Sequence, residues 1–294
     1  MLSILIPTYD YSALTLVKEL YCQCEAAAIV FEIIVLDDAS TNIEILNENR
    51  KINQISNCIF EQNDTNLGRA RNRNKLAKKS KYDWLLFMDC DTFPKNKNFI
   101  SKYINQIPEN EIVFGGIAYH NEKPQKANIL RWKYGMEREE INSTKRKLNP
   151  YSTALTSNLL IQKEIFNLIM FDNRIIQYGY EDLVFVNELK SRNYFINHID
   201  NATYHLNYET SIAFLEKTKK AIETLLFIEK NNMLIGVETK IQKKYQLISK
   251  FKLNKIISFL FTKFQHLLQK NLLSKNPSLF LFDCYKLGYY CSLK

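Results

Sequence analysis

Trp84-Leu85-Leu86-Phe87-Met88-Asp89-Cys90-Asp91 decides how this chain is read. An unbroken apolar run of strand length leads directly into two carboxylates one residue apart. Such a run, closed by polar residues, is the pattern of a strand buried on both faces. Two runs upstream end in the same way. Residues 2–6 stop at Pro7-Thr8-Tyr9-Asp10, and residues 31–36 stop at Asp37-Asp38. Ile59 and Phe60 mark a weaker strand. Helical patterns lie between these runs, roughly over 12–25 and 68–79. Strands alternating with helices predict a parallel sheet covered on both faces, and ligands bind outside the carboxyl ends of such strands. Here three of those ends carry polar residues.

Downstream, residues 120–150 are polar and without period, which predicts a long, mobile loop near the site. Order resumes over 153–166 and 175–189. There Gly179-Tyr180-Glu181-Asp182 leads into a helix, whose N-terminus suits acidic residues. Residues 194–199 read as a strand before Ala202-Thr203-Tyr204-His205, and from about 210 onward the chain reads as helix. The expected class is α/β, a mostly parallel sheet flanked by helices with a helical C-terminal extension. The expected domains are 1–210, with halves 1–115 and 150–210, and 211–294.

Composition narrows the function. In 294 residues, 46% hydrophobic and 13% aromatic content is enough for a packed core and argues against disorder. The cysteines, at 22, 24, 58, 90, 284 and 291, show no CxxC spacing, so neither a zinc ribbon nor a disulfide framework is expected. The net charge of +9 is carried entirely by residues 241–294, which hold ten lysines against the single acid Asp283. A neutral body argues against nucleic acid as a partner. A basic leader is missing before the apolar residues 2–6, and the longest uncharged tail run, 256–262, is far short of the ~20 residues of a spanning helix. A cytoplasmic place is expected.

Asp89 and Asp91 at a strand end are the residue types that hold a hard divalent cation with positions left for phosphate oxygens. Two other kinds of enzyme use carboxylates there. Haloacid dehalogenase-type phosphatases need D-x-D-x-[TV], whereas Phe93 stands in the last place. Sugar nucleotidyltransferases need a Gly-rich loop after the first strand, whereas residues 7–12 contain no glycine.

Four motifs occur in one order: Ile4-Leu5-Ile6-Pro7-Thr8-Tyr9, Ile34-Val35-Leu36-Asp37-Asp38-Ala39-Ser40, Asn66-Leu67-Gly68-Arg69-Ala70-Arg71-Asn72 and Phe87-Met88-Asp89-Cys90-Asp91. Together they resemble the family 2 glycosyltransferases of the GT-A, Rossmann-like fold, over about residues 1–210. Gly179-Tyr180-Glu181-Asp182 resembles that family's acidic acceptor-side motif. The resemblance implies an inverting transferase that uses a nucleotide-sugar donor, read as a UDP-sugar, and a divalent metal, Mn2+ or Mg2+. It implies Pro7 and Tyr9 in the base and ribose pocket, Asp38 accepting from uracil or ribose, and Arg71 near the nucleotide. Asp37 has a second reading, holding the loop that follows it. Asp89 would contact the ribose or, through water, the metal, and Asp91 would ligate the metal directly. Arg69 and Arg73 are expected to face solvent or phosphate.

Inverting transfer needs a carboxylate to take the proton of the attacking hydroxyl, while a metal can neutralise the leaving diphosphate. By resemblance Asp182 is the base, and Glu181 binds the acceptor or orients the loop. His205 has two readings, as a further metal ligand and as a loop residue. His198 reads as structural, and Asn158 as an acceptor-side or a turn residue. The Gln-x-x-Arg-Trp signature of processive synthases is missing, which favours transfer of a single sugar.

The tail carries a second signal. Over 251–273, Lys252, Lys255, Thr262, His266 and Gln269 share one side of a helix, and Phe251, Ile256, Ile257, Leu260, Phe264, Leu267 and Leu268 occupy much of the other. A basic amphipathic helix suits an anionic membrane surface, here the inner face of the cytoplasmic membrane. The alternative is a tail packed on the catalytic domain. A membrane-bound tail suits a glycan or lipid-linked acceptor in bacterial surface polysaccharide synthesis. The rival to the whole reading is a non-catalytic, membrane-associated glycan- or nucleotide-binding protein that keeps the fold.

Overall fold

The computed structural model describes residues 1–234 and 236–294. They form two compact units. The first comprises Met1–Tyr119, Glu139–Ile176 and Glu181–Asn207, and the second His120–Arg138, Gln177–Tyr180 and Tyr208–Lys294.

The first unit is built on a seven-stranded sheet. Strands β1 (Leu2–Thr8), β2 (Phe31–Asp37), β3 (Cys58–Gln62) and β4 (Trp84–Met88) coincide with the apolar runs of the sequence. Helices α1 (Leu14–Ala26), α2 (Ile43–Arg50) and α3 (Arg69–Lys79) connect them. Beyond β4 come β5 (Thr92–Pro94), helix α4 (Phe99–Ile104), β6 (Ile112–Phe114) and β7 (Ile117–Ala118). The order across the sheet is β3-β2-β1-β4, continued by β8 (Asn158–Gln162), β6 and β9 (Asn197–His198). The first four strands are parallel, whereas β8 runs antiparallel to both β4 and β6. A second, three-stranded sheet joins β5, β10 (Thr203–His205) and β7.

Successive residues of a strand face opposite sides of the sheet. Accordingly Ile4, Ile6, Ile33, Val35, Leu86 and Met88 enter one core, together with Leu16, Val17 and Leu20 of α1 and Phe99 and Tyr103 of α4. Leu5, Ile34, Leu36, Leu85 and Phe87 enter the other, with Ala70, Leu76 and Ala77 of α3. Burial on both faces is why these strands read as unbroken apolar runs rather than as alternation.

Two expectations need correction. Residues 120–150 are not one long loop. They contain a 3-10 turn (Lys126–Asn128), α5 (Ile129–Tyr134), a π-helical turn (Gly135–Glu139), α6 (Ser143–Leu148) and the start of α7 (Pro150–Thr153). Helices of four to six residues complete fewer than two turns, so no apolar period can develop. The strand expected over 194–199 is reduced to the two residues of β9, paired with Val113 and Phe114, because Tyr194 still donates to the Leu189 carbonyl in the turn that ends the preceding helix. Helix α8 (Lys163–Ile169) follows β8, and α9 (Glu181–Ser191) begins at the acidic pair.

The second unit is helical: α5 with α10 (Ser211–Lys230), α11 (Lys240–Lys250), α12 (Asn254–Leu272) and α13 (Leu279–Leu293). Leu130, Phe214, Leu215, Phe261, Leu272, Leu279, Phe282 and Tyr285 form its main core.

Candidate active site

The registers align the carboxyl ends of the central strands, with Thr8 opposite Asp37 and Leu5 opposite Phe87. The chain steps outward from β1 to β2 and β3, then returns to lay β4 on the other side of β1. Such a reversal opens a ligand crevice beyond the strand ends. The motifs singled out in the sequence collect there.

Carboxylates knit the loops of this rim. Asp37 is fully buried and accepts the Ser40 amide at 2.7 Å and the Ser40 hydroxyl, which holds the loop closed. Burial raises the Asp37 carboxyl above its ordinary range, although both Ser40 bonds act to lower it. Asp10 joins the β1 loop to the β2 loop by accepting the amides of Thr41 and Asn42, each at 3.1 Å. Asp38, expected to meet uracil or ribose, is engaged inside the protein. It accepts the amides of Leu67 at 2.8 Å and Gly68 at 2.9 Å, and the Asn63 side chain at 3.1 Å. A carboxylate offers about four acceptor directions, and these bonds take up most of them.

Gly68 is held at φ +81°, and a Cβ there would lie 2.6 Å from the carbonyl oxygen of Ile176. Gly68→Ala is therefore expected to cost about 1–3 kcal/mol, and denaturant unfolding should register it. An unchanged midpoint would show that the loop gives way.

The arginines of α3 sort by helical period. Arg69 and Arg73 are one turn apart on one face, and Arg71 lies round the helix from both. Arg73 is only 2% exposed. Its Nη2 donates to Asp89 at 2.7 Å, and its Nη1 is 3.7 Å from Glu181. Arg69 lies 3.5 Å from Glu181. Arg71, expected near the nucleotide, is exposed and donates to the Asn173 carbonyl at 2.9 Å. The structure does not bring it to the acidic group. The sequence carries two Arg-Asn pairs in tandem, Arg71-Asn72 and Arg73-Asn74, and only three-dimensional packing distinguishes them. Of the two readings of Arg73, solvent or phosphate, its burial excludes solvent. Arg73 is the buried cation between the strand-end acids and the helix-start acids.

Burial acts to raise the Asp89 carboxyl, but Arg73 and Arg69 outweigh it and hold Asp89 below the ordinary carboxylate range. Asp182 goes the other way. Burial pushes it up to about 6, and the neighbouring Glu181 charge adds to the effect, while Arg73 and the Thr156 hydroxyl oppose it. Thr156 donates its hydroxyl to Asp182, and the next residue, Ser157, accepts the Asp89 amide at 3.2 Å. The segment before β8 thus touches both acidic motifs. Sequence reasoning looked there to Asn158 and missed Thr156. Asn158 is buried, donates to the carbonyls of Gly116 and Asn201, and accepts the Tyr103 hydroxyl at 2.6 Å. It braces the sheet.

Asp91 and His205 meet across the rim. His205 Nε2 lies 3.5 Å from Asp91 Oδ2, and the imidazole stacks on Tyr119 at 5.7 Å. Pairing of β10 with β5 sets this meeting, since His205 is opposite Thr92 in register. Tyr11 is near the same carboxylate. Burial first, and then the Asp91 charge, push its hydroxyl up to about 12. Pro7 is half-buried on β1 opposite Leu36, and Tyr9 is exposed on the same rim. His198 is away from this group. Its Nδ1 accepts from Arg146 at 3.2 Å, and burial lowers it to about 4, so it stays neutral and structural.

Among the described residues, no three His, Cys, Asp or Glu side chains converge as a metal-holding group. Asp89 is committed to Arg73. Asp91 and His205, 3.5 Å apart, are a pair of metal-ligating residue types at the rim. One carboxylate and one imidazole fit a divalent cation that keeps positions for water and phosphate oxygens.

The chain belongs to glycosyl transferase family 2, whose model matches residues 3–168. A protein of Haemophilus influenzae described as an uncharacterized glycosyltransferase is 30% identical over 172 residues, which is 56% of this chain and 54% of that protein. The chain thus spans about half the length of this curated relative. Among solved structures, S. aureus TarS 1–349 in complex with UDP-GlcNAc has a TM-score of 0.50 at 21% identity, covering 90% of this chain and 75% of that one. The mannosyltransferase PcManGT from Pyrobaculum calidifontis, in complex with GDP-Man and Mn2+, has a TM-score of 0.54 at 12% identity, covering 100% and 80%. These likenesses are of fold, and the fold is GT-A.

Proposed function

We propose that the chain is a metal-dependent, inverting glycosyltransferase that moves one sugar from a nucleoside-diphosphate donor, a UDP-sugar, to a hydroxyl of a glycan or lipid-linked acceptor. Assembly of a bacterial surface polysaccharide at the inner face of the cytoplasmic membrane is the setting that suits it. Residues 1–210 carry the transferase, and the helices after 210 are its extension. The observation that carries this reading is the divergence of two nearby carboxylates. Asp89 is held ionised by Arg73, whereas Asp182 is raised to about 6, into the range of a general base.

In this reading Pro7 and Tyr9 receive the nucleoside, and Asp38 shapes its pocket by holding the amides of Leu67 and Gly68. Asp91 and His205 would hold Mn2+ or Mg2+, which would supply charge neutralisation for the leaving diphosphate. Asp89 fixes Arg73, and Arg73 in turn orients Glu181 at the start of α9. Asp182 takes the proton of the acceptor hydroxyl as that oxygen attacks the anomeric carbon. Thr156 sets the direction in which Asp182 points.

The test is release of nucleoside diphosphate from UDP-, GDP- and dTDP-sugars by the purified protein with Mn2+ and glycan or lipid-linked acceptors. Release from one donor class, raised by an acceptor, is the expected result. No release from any donor in a folded sample would overturn the transferase reading and favour a non-catalytic binding protein.

A further inference from the structure

Helix α12 has two apolar sides, and the second unit uses only one of them. Phe261 packs its ring 5.3 Å from Tyr285 and 6.1 Å from Tyr289 on α13. At Gly288 the two helices are so close that a Cβ would meet the Phe261 ring at 2.5 Å. Leu272 is fully buried on the same side, and Gln269 donates to the Tyr285 hydroxyl at 3.3 Å.

The other side faces solvent. Ile256, Leu260, Phe264 and Leu267 are 53%, 46%, 50% and 54% exposed. Their spacings of four, four and three residues make one stripe along the helix. Phe259 lies beside the stripe at 60% exposure, and the preceding turn exposes Phe251 and Leu253. Single exposed apolar residues are ordinary, but a continuous row of large ones on one helix marks an interaction surface.

The charge around the stripe says what it fits. Lys252, Lys255, Lys263 and Lys270 are exposed beside it, and no Asp or Glu occurs between Glu238 and Asp283. Asp283 is itself met by Lys286 at 3.0 Å and Arg138 at 3.2 Å. A second copy of the chain would bring lysine rows together, which like-charge repulsion opposes. No described helix is long and apolar enough to cross a membrane. We infer that α12 lies in the surface of an anionic phospholipid bilayer. Ile256, Leu260, Phe264 and Leu267 enter the acyl boundary, and the lysines meet the headgroups. The lysine stems can cover apolar surface while their ammonium groups stay in water. The structure refines the sequence pattern, because Ile257 and Leu268 are half-buried and Phe259 is exposed.

The experiment is co-sedimentation of the full chain with vesicles of phosphatidylcholine alone and with about one-third phosphatidylglycerol. The expected result is binding to the anionic vesicles and at least about tenfold weaker binding to the neutral ones. The variant Leu260→Ser/Phe264→Ser and the variant Lys263→Glu/Lys270→Glu should each lose at least about tenfold in that binding. All four positions are exposed, so unchanged circular dichroism is expected for both variants. Wild type remaining in the supernatant with anionic vesicles would overturn the inference. So would a wild-type dimer, seen by light scattering, that the Leu260→Ser/Phe264→Ser variant abolishes and vesicles do not dissolve. The outcome does not depend on sugar transfer, so it stands or falls apart from the proposed reaction.

Discussion

Asp182→Asn is expected to lower the transfer rate by about 10²–10⁴-fold, the usual contribution of a positioned general base, while donor binding survives. The substitution keeps size and leaves an oxygen to accept the Thr156 hydroxyl. The wild-type rate should fall as pH drops through about 6, because protonated Asp182 cannot take the acceptor's proton. The variant should lack that limb. Stability should move the opposite way. A carboxyl raised from 3.8 to about 6 stabilises the fold below the lower value, and this contribution is lost as pH rises through the higher one. At pH 7 the wild type therefore keeps a buried charge that Asn does not have, and the variant should melt at a higher temperature. A variant with an unchanged pH profile would remove Asp182 from the role of base. A lower melting temperature would show that its charge is well satisfied in the folded state.

Arg73→Met should produce the largest loss of stability. The guanidinium is buried between Asp89 and Glu181, so its removal takes from Asp89 its hydrogen-bonded cation and from Glu181 a nearby one, Arg69 staying 3.5 Å from Glu181. Breaking a buried ion pair by removing one partner costs about 3–5 kcal/mol, more than replacing both partners together. Denaturant unfolding gives the measure. Asp89 should lose its depressed titration in the same variant, since Arg73 is the chief charge holding it ionised. Arg71→Met, on the exposed face, should change stability by less than about 0.5 kcal/mol. Equal costs at the two positions would contradict the assignment of Arg73 as the central cation.

The central sheet was legible in the sequence because both faces are buried. Doubly buried strands show as apolar runs, and the run at Trp84–Met88 matches its strand end to end. Strands β5, β6 and β7 were illegible because two or three residues carry no period. The acids of the site were visible as acids. Their roles depend on which neighbours fold beside them, and that is tertiary information. Asp38 appears as a free carboxylate in the motif, yet the amides of Leu67 and Gly68 claim it. Arg73 looked like one of several exposed arginines until the pitch of α3 turned it inward. Thr156 carried no signal of its own, because a threonine before a strand is ordinary.

The most direct test of the donor site is the thermal stability of the full chain with UDP, GDP and dTDP, each with and without Mn2+, repeated in Asp91→Ala. A ligand at 100 times its dissociation constant stabilises by about 2.7 kcal/mol, which a melting curve resolves. The expected result is a rise with one nucleotide, largest for UDP, that requires Mn2+ and disappears in Asp91→Ala. No rise with any nucleotide, or a rise unchanged by both Mn2+ removal and Asp91→Ala, would contradict a metal-assisted donor site at Asp91 and His205.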